Sequence, residues 1–181
     1  MKSIILSFFI AVGLFFAGCS EQSSINSPQQ DSQLSLVKMS DGNSLHKTIS
    51  VSKTINGNIG GSLDIVGSFD LGIIQVNGTL TVPPGAYQGN QTITAYMDGV
   101  YAVIDFGPSP FIFDIPLNFT MEITGVKLTG NVNAIKFVYI APDGTMQPVE
   151  LNGTTEADRK GNMLSVYDAQ LPHFSRYGWA K

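Results

Sequence analysis

The chain has 181 residues, of which 43% are apolar. That is enough for one hydrophobic core and too few residues for two ordinary domains. Only 13% of residues are charged, and acidic ones outnumber basic ones 14 to 10, so the chain lacks the basic excess that marks a nucleic-acid binder. A single Cys excludes an intramolecular disulfide, and two His exclude a His-rich metal site.

The first segment reads as an address. Lys2 supplies a short positive start, and Ile4 to Gly18 then carries no charge. Such a run is short for a bilayer span and suits the apolar region of a secretory signal. It closes with Phe16-Ala17-Gly18-Cys19. Small residues just before a Cys resemble the lipobox of bacterial lipoproteins, with Phe16 standing where Leu is usual. The resemblance implies that residues 1–18 are a signal peptide, that cleavage precedes Cys19, and that Cys19 is lipidated. Several acyl chains give a stable hold on a membrane. Ser20 follows Cys19, with no Asp there; by analogy with lipoprotein sorting, the expected location is the bacterial cell envelope, in the outer membrane. The membrane is thus one expected partner, reached through the lipid on Cys19.

Residues 20–45 contain eight Ser and four Gln, a composition that buries too little apolar surface to offset chain entropy. The expectation is a tether over 19–46, lifting a domain over 47–181 off the membrane. Leu34, Leu36 and Val37 leave open a first strand within it.

From about residue 47 the apolar residues recur every second position. Ile74, Val76, Leu80 and Val82 alternate with polar residues, as do Ile93, Ala95 and Met97. The longest run is Ile115, Leu117, Phe119, Met121 and Ile123. Strict alternation predicts strands with one buried and one wet face. Pro116 on the polar side predicts an edge strand or a bulge. Further strands are expected over 49–55, 61–69, 101–106, 134–141, 163–169 and 173–180. Pro83-Pro84-Gly85, Gly107-Pro108 and Pro142-Asp143-Gly144 carry turn chemistry, and Asp98-Gly99 reads as a two-residue hairpin. No amphipathic helix stands out. The fold class expected is all-β, an antiparallel β-sandwich.

Four spaced motifs together resemble the bacterial form of the ZU5-like β-sandwich domain. They are Gly60-Gly61-Ser62-Leu63 with Leu80-Thr81-Val82-Pro83-Pro84-Gly85-Ala86; Ile104-Asp105-Phe106-Gly107-Pro108 with Phe113-Asp114-Ile115-Pro116-Leu117; Phe137-Val138-Tyr139-Ile140 with Pro142-Asp143-Gly144 and Pro148-Val149; and His173-Phe174-Ser175-Arg176-Tyr177. The resemblance covers about residues 55–181. It implies an interaction module more often than an enzyme, and the ligand expected is a protein or a glycan of unknown identity.

In some ZU5-like domains His-Phe-Ser is a self-cleavage site, which gives a second reading. By that resemblance Ser175 would attack the carbonyl carbon of Phe174, and His173 would take the hydroxyl proton. Ser is a weak nucleophile and needs such a base and a strained bond. On one strand His173 and Ser175 would share a face. The plainer reading puts Phe174 in the core, with His173, Ser175, Tyr177 and Trp179 on the opposite, partly wet face.

No zinc, EF-hand, nucleophile-elbow or phosphate-loop motif occurs, so no metal or cofactor is implied and no enzyme is expected. Asp105, Asp114, Glu122 and Asp168 are candidate glycosidase carboxylates, better read as solvated strand residues. Tyr96, Tyr139, Tyr167, Tyr177 and Trp179 are a candidate binding platform, better read as core and rim. Leu117, Phe119, Met121 and Phe174 are expected to be buried.

Overall fold

The computed structural model describes residues 34–39 and 48–181. The expected signal segment over 1–18, Cys19 and the rest of the Ser/Gln-rich stretch lie outside the described residues. Eleven strands follow in chain order: β1 (Ile49–Asn56), β2 (Gly61–Phe69), β3 (Ile74–Val82), β4 (Asn90–Met97), β5 (Val103–Gly107), β6 (Phe111–Thr124), β7 (Lys136–Ile140), β8 (Met146–Pro148), β9 (Thr155–Asp158), β10 (Met163–Phe174) and β11 (Arg176–Ala180). They form two antiparallel sheets, β1-β4-β5-β11-β7-β8 and β2-β3-β6-β10-β9. The sheets pack face to face as an all-β sandwich, the class that the alternation predicts.

The alternating residues supply the core between the sheets. Ile74, Val76, Leu80, Val82, Ile93, Ala95 and Met97 are all buried, as are Leu117, Phe119, Met121, Ile123 and Phe174. Aromatic rings join the two layers. Phe106 of β5 meets Phe119 of β6 edge-on, with centroids 5.3 Å apart, and Phe119 meets Phe137 of β7 at 5.9 Å. Such pairs add geometric preference to simple burial.

Three expectations need correction. Ile115 does not continue the buried row; it is 45% exposed, and Phe113 lies inside instead. The pairing of β10 with β6 runs Leu171 to Leu117 and then His173 to Ile112. Extra residues of β6 around Pro116 are therefore bulged, and the bulge turns Ile115 outward before the same alternate positions face inward again at Phe113. Pro116 thus sits in a bulge of a central strand, not on an edge.

The second correction concerns the closing strand. Tyr177 and Trp179 are buried, not on a wet face. The chain leaves the five-stranded sheet after Phe174, bends at Ser175, and enters the other sheet as β11. Changing sheets changes which alternate residues point inward. Gly178 makes the crossing of β5 close: a Cβ there would fall within van der Waals contact of the Ala102 carbonyl and Val103.

Third, Asp98-Gly99 is not a two-residue hairpin, because residues 98–102 separate β4 from β5. This stretch is occupied by pairing with residues 34–39. The Met39 amide donates to Val100 O at 2.9 Å, and the Ala102 amide to Val37 O at 2.8 Å. On the other side Val37 N donates to Trp179 O at 2.8 Å and Ser35 N to Lys181 O at 2.8 Å. Val37 and Met39 are buried in the main core. These six residues pack against the sandwich through isolated bridges, Leu36 with Ala180 and Lys38 with Tyr101, and do not form a strand.

Candidate functional site

Residues of the sequence motifs line an open cleft of about 220 Å³. Five parts of the fold meet there. The β6 bulge brings Pro116, β7 brings Tyr139, and β8 with the residues after it brings Gln147, Pro148, Val149 and Glu150. Gln170, Pro172 and His173 come from β10, and Tyr177 from β11. The side of the cleft is closed by the chain crossing from β8 toward β10: Val149 N donates to Phe137 O at 3.2 Å, and Gln170 N to Glu150 O at 2.9 Å.

Three rings pack together in its wall. His173 meets Tyr139 edge-on with centroids 4.8 Å apart, and lies 6.1 Å from Tyr177 at 28°. Tyr139 and Tyr177 are 5.8 Å apart. The Tyr177 hydroxyl donates to the main-chain oxygen of His173 at 2.8 Å and lies 3.3 Å from its Nδ1. Burial, with the Tyr139 phenol nearby, pushes the Tyr177 hydroxyl well above its ordinary value, so it stays a neutral donor. The Gln170 amide nitrogen is held by Asn118 Oδ1 at 2.8 Å, which fixes a polar side chain at the rim.

The expected site residues divide. His173 enters the cleft wall. Phe174 is buried, edge-on to Phe113 at 4.7 Å. Ser175 is at the bend between sheets, where its carbonyl accepts from Phe106 N at 2.9 Å. No hydrogen bond joins the Ser175 hydroxyl to His173, whose Nδ1 faces Tyr177 instead. Positive-φ residues other than glycine occur at Asp70, Leu71, Asn162 and Asp168, away from this bend. The arrangement thus offers the Ser175 hydroxyl neither a bonded base nor visible backbone strain. Cys19 lies outside the described residues.

The candidate carboxylates do not gather. Asp105 pairs with Arg176 at 2.7 Å across β5 and β11. Glu122 accepts from the Tyr167 hydroxyl at 3.4 Å, and Asp168 from Gln170 Nε2 at 3.3 Å. Among the described residues no group of three His, Cys, Asp or Glu is placed to hold a metal ion. The five-residue aromatic platform does not assemble either: Trp179 and Tyr177 are buried, Tyr96 and Tyr167 are exposed on different sheets, and only Tyr139 and Tyr177 share the cleft. Nothing in the spacing of Pro116, Gln147, Glu150, Gln170 and Pro172 marks them as a group, because pairing between distant strands alone brings them together.

Compared with known proteins, the sequence matches no family model and no curated protein significantly. Among the described residues, no helix is long and apolar enough to cross a membrane.

Proposed function

We propose that the chain is an envelope lipoprotein, held to the outer membrane through lipid on Cys19, whose ZU5-like β-sandwich is a non-enzymatic module binding a protein or glycan. The observation that supports binding is the cleft itself, where ring and proline faces stand beside Gln147, Glu150 and Gln170. Of the two ligand classes the lining favours a glycan. A sugar ring lays its C–H face on apolar and aromatic groups while its hydroxyls bond to amides and carboxylates, and binding clefts commonly pair an apolar wall with a few polar groups. The volume suits one sugar unit at the end of a longer chain.

The test is an isotope-labelled NMR titration with soluble cell-wall oligosaccharides and, separately, with short proline-containing peptides. Shifts confined to Tyr139, Gln147, Gln170 and His173, and lost in Tyr139→Ala, support the cleft as the site. Shifts only with peptides transfer the site to a protein ligand. No shift there with either sinks the reading. The anchor is tested by intact mass of protein extracted from membranes, which should carry acyl groups lost in Cys19→Ser.

A further inference from the structure

The described chain begins at one end of the sandwich, and that end differs from the rest of the molecule. Here the β2–β3 connection (70–73), the β6–β7 connection (125–135), the β9–β10 turn (159–162), the C-terminus and residues 34–39 come together. Lys181 Nζ donates to Thr129 O at 3.0 Å, Val126 N to Asn162 O at 3.0 Å, and Ser35 N to Lys181 O at 2.8 Å. Gly125 packs against Ile73, and Gly99 against Phe69.

Charge is distributed unevenly about this end. Of the eight Lys and Arg among the described residues, six are here: Lys38, Lys127, Lys136, Arg159, Lys160 and Lys181. All six are exposed. Asp70, Asp98, Asp158 and Glu156, which lines a cavity with Lys136, share the end, while the other seven described carboxylates lie along the strands or at the far end with Lys53 and Arg176. Arg159 and Lys181 hydrogen-bond to main-chain carbonyls, of Gly130 and Thr129, which leaves their charge un-neutralised. A chain that is acidic overall thus carries one cationic end.

The same end presents the most exposed apolar residue described. Leu71 is 95% exposed and Ile73 66%. Asp70, Leu71 and Gly72 all have positive φ, at 49°, 54° and 92°. Left-handed backbone is unfavourable for Leu, yet here it holds an apolar side chain out at a hairpin tip.

We infer that this end lies directly on the surface of an anionic bilayer, with Leu71 and Ile73 entering the headgroup region and Lys127, Lys136, Arg159, Lys160 and Lys181 facing lipid phosphates. The inference rests on the lipid-anchor reading above. Cys19 precedes Leu34 by 15 positions. Under that reading the anchor tethers the domain to the membrane, which raises its effective concentration at the surface. At such an effective concentration a weak surface contact suffices. Cations near an anionic surface and an apolar tip in the interface both favour docking. The cleft at His173 lies on the β7–β10 side, away from this surface, and so stays open to ligand.

The test uses the mature lipidated chain in phosphatidylcholine vesicles with and without phosphatidylglycerol. Intact mass first establishes the acyl groups on Cys19. Cys19 is the only native Cys, and lipidation blocks its thiol, so Ile73→Cys carries a fluorophore alone. Ile112→Cys, exposed at the far end, carries the same probe as a reference. Docking predicts quenching of the probe at 73, but not at 112, by lipid-borne nitroxides in the anionic vesicles. Reversing Lys127, Lys136 and Lys160 to Glu should lower the docked fraction by about tenfold or more. A probe at 73 as unquenched as that at 112, or quenched equally in neutral vesicles, overturns docking. An acyl-free Cys19 overturns the anchor reading instead; sedimentation of that unlipidated chain with the same vesicles then decides the surface alone, anionic-selective binding keeping it and no binding ending it.

Discussion

The Tyr177 hydroxyl reaches back four residues to donate to the main-chain oxygen of His173 at 2.8 Å, spanning the bend where the chain passes from one sheet to the other. Sandwich folds use a similar tyrosine device to pin a corner of the chain. Here it ties β10 to β11 and at the same time sets the His173 ring in the cleft wall. A lost hydrogen bond that leaves a part-buried carbonyl unpaired costs about 1–3 kcal/mol. Tyr177→Phe keeps the ring and removes only the hydroxyl's bonds to His173, so urea denaturation should show destabilisation of that order with an unchanged slope. An unchanged midpoint would mean that the corner is held by ring packing alone.

The same residue makes a pH prediction. Burial raises the Tyr177 hydroxyl above its ordinary value of 10.0, and burial raises Tyr87 in the same direction. Above pH ~10 the unfolded state releases these protons and the folded state does not, so the unfolded state is favoured as pH rises. Stability should therefore be flat below pH ~10 and fall above it, and Tyr177→Phe should fall less steeply. Equal slopes in thermal melts of the two proteins would count against the burial of this hydroxyl.

Phe119 and Ile115 lie on one strand and in the same alternating series, yet only Phe119 is fully buried. Phe119→Ala should cost about 3–5 kcal/mol, as expected for a large core side chain, enough to unfold a marginal domain. Ile115→Ala, within the bulge, should cost under about 1 kcal/mol, as surface changes do. Comparable losses at both positions, measured as melting temperatures, would contradict the register shift at Pro116.

These two residues show what can be read without the fold. Period-two alternation is a local property of the chain, so the spans of β2, β3 and β4 and the burial of Leu117, Phe119, Met121 and Phe174 were legible from spacing alone. A bulge turns single residues out of the buried row and a change of sheet resets the inward face, and neither leaves a periodic mark. Ile115 was therefore expected inside, and Tyr177 and Trp179 partly outside. The cleft was less legible still. His173 stood out because its triplet resembles a known motif, and Tyr139 because it is aromatic. Gln147, Glu150 and Gln170 reach them only through the pairing of distant strands.

The bend at Ser175 bears on self-cleavage. The bond between Phe174 and Ser175 lies between a buried ring and a carbonyl already bonded to Phe106, and His173 Nδ1 faces Tyr177. An activated nucleophile needs a base within hydrogen-bond reach. The expected result is one intact mass, under denaturing conditions, for the wild-type chain and for Ser175→Ala alike. Loss of Ser175–Lys181 from the wild type alone would show that the chain visits a cleavable geometry distinct from this one.

Residues 34–39 give the sharpest contrast between composition and packing. They lie in a Ser-rich stretch, yet Val37 and Met39 are buried and their backbone pairs with both Trp179 and Val100. Burying two such side chains stabilises by about 1.5–3 kcal/mol each. A chain starting at residue 47 should thus be less stable than one starting at residue 34 by about 3–6 kcal/mol. The deletion also leaves β11 with unpaired backbone groups and uncovers the end of the core beside Trp179. Its single Trp is the only one in the chain, so its fluorescence should shift to the red in the shorter protein. Val37→Asp in the longer chain should reproduce much of the loss, because it places an unpaired charge in the core. Equal unfolding midpoints for the two chains would return residues 34–39 to the tether.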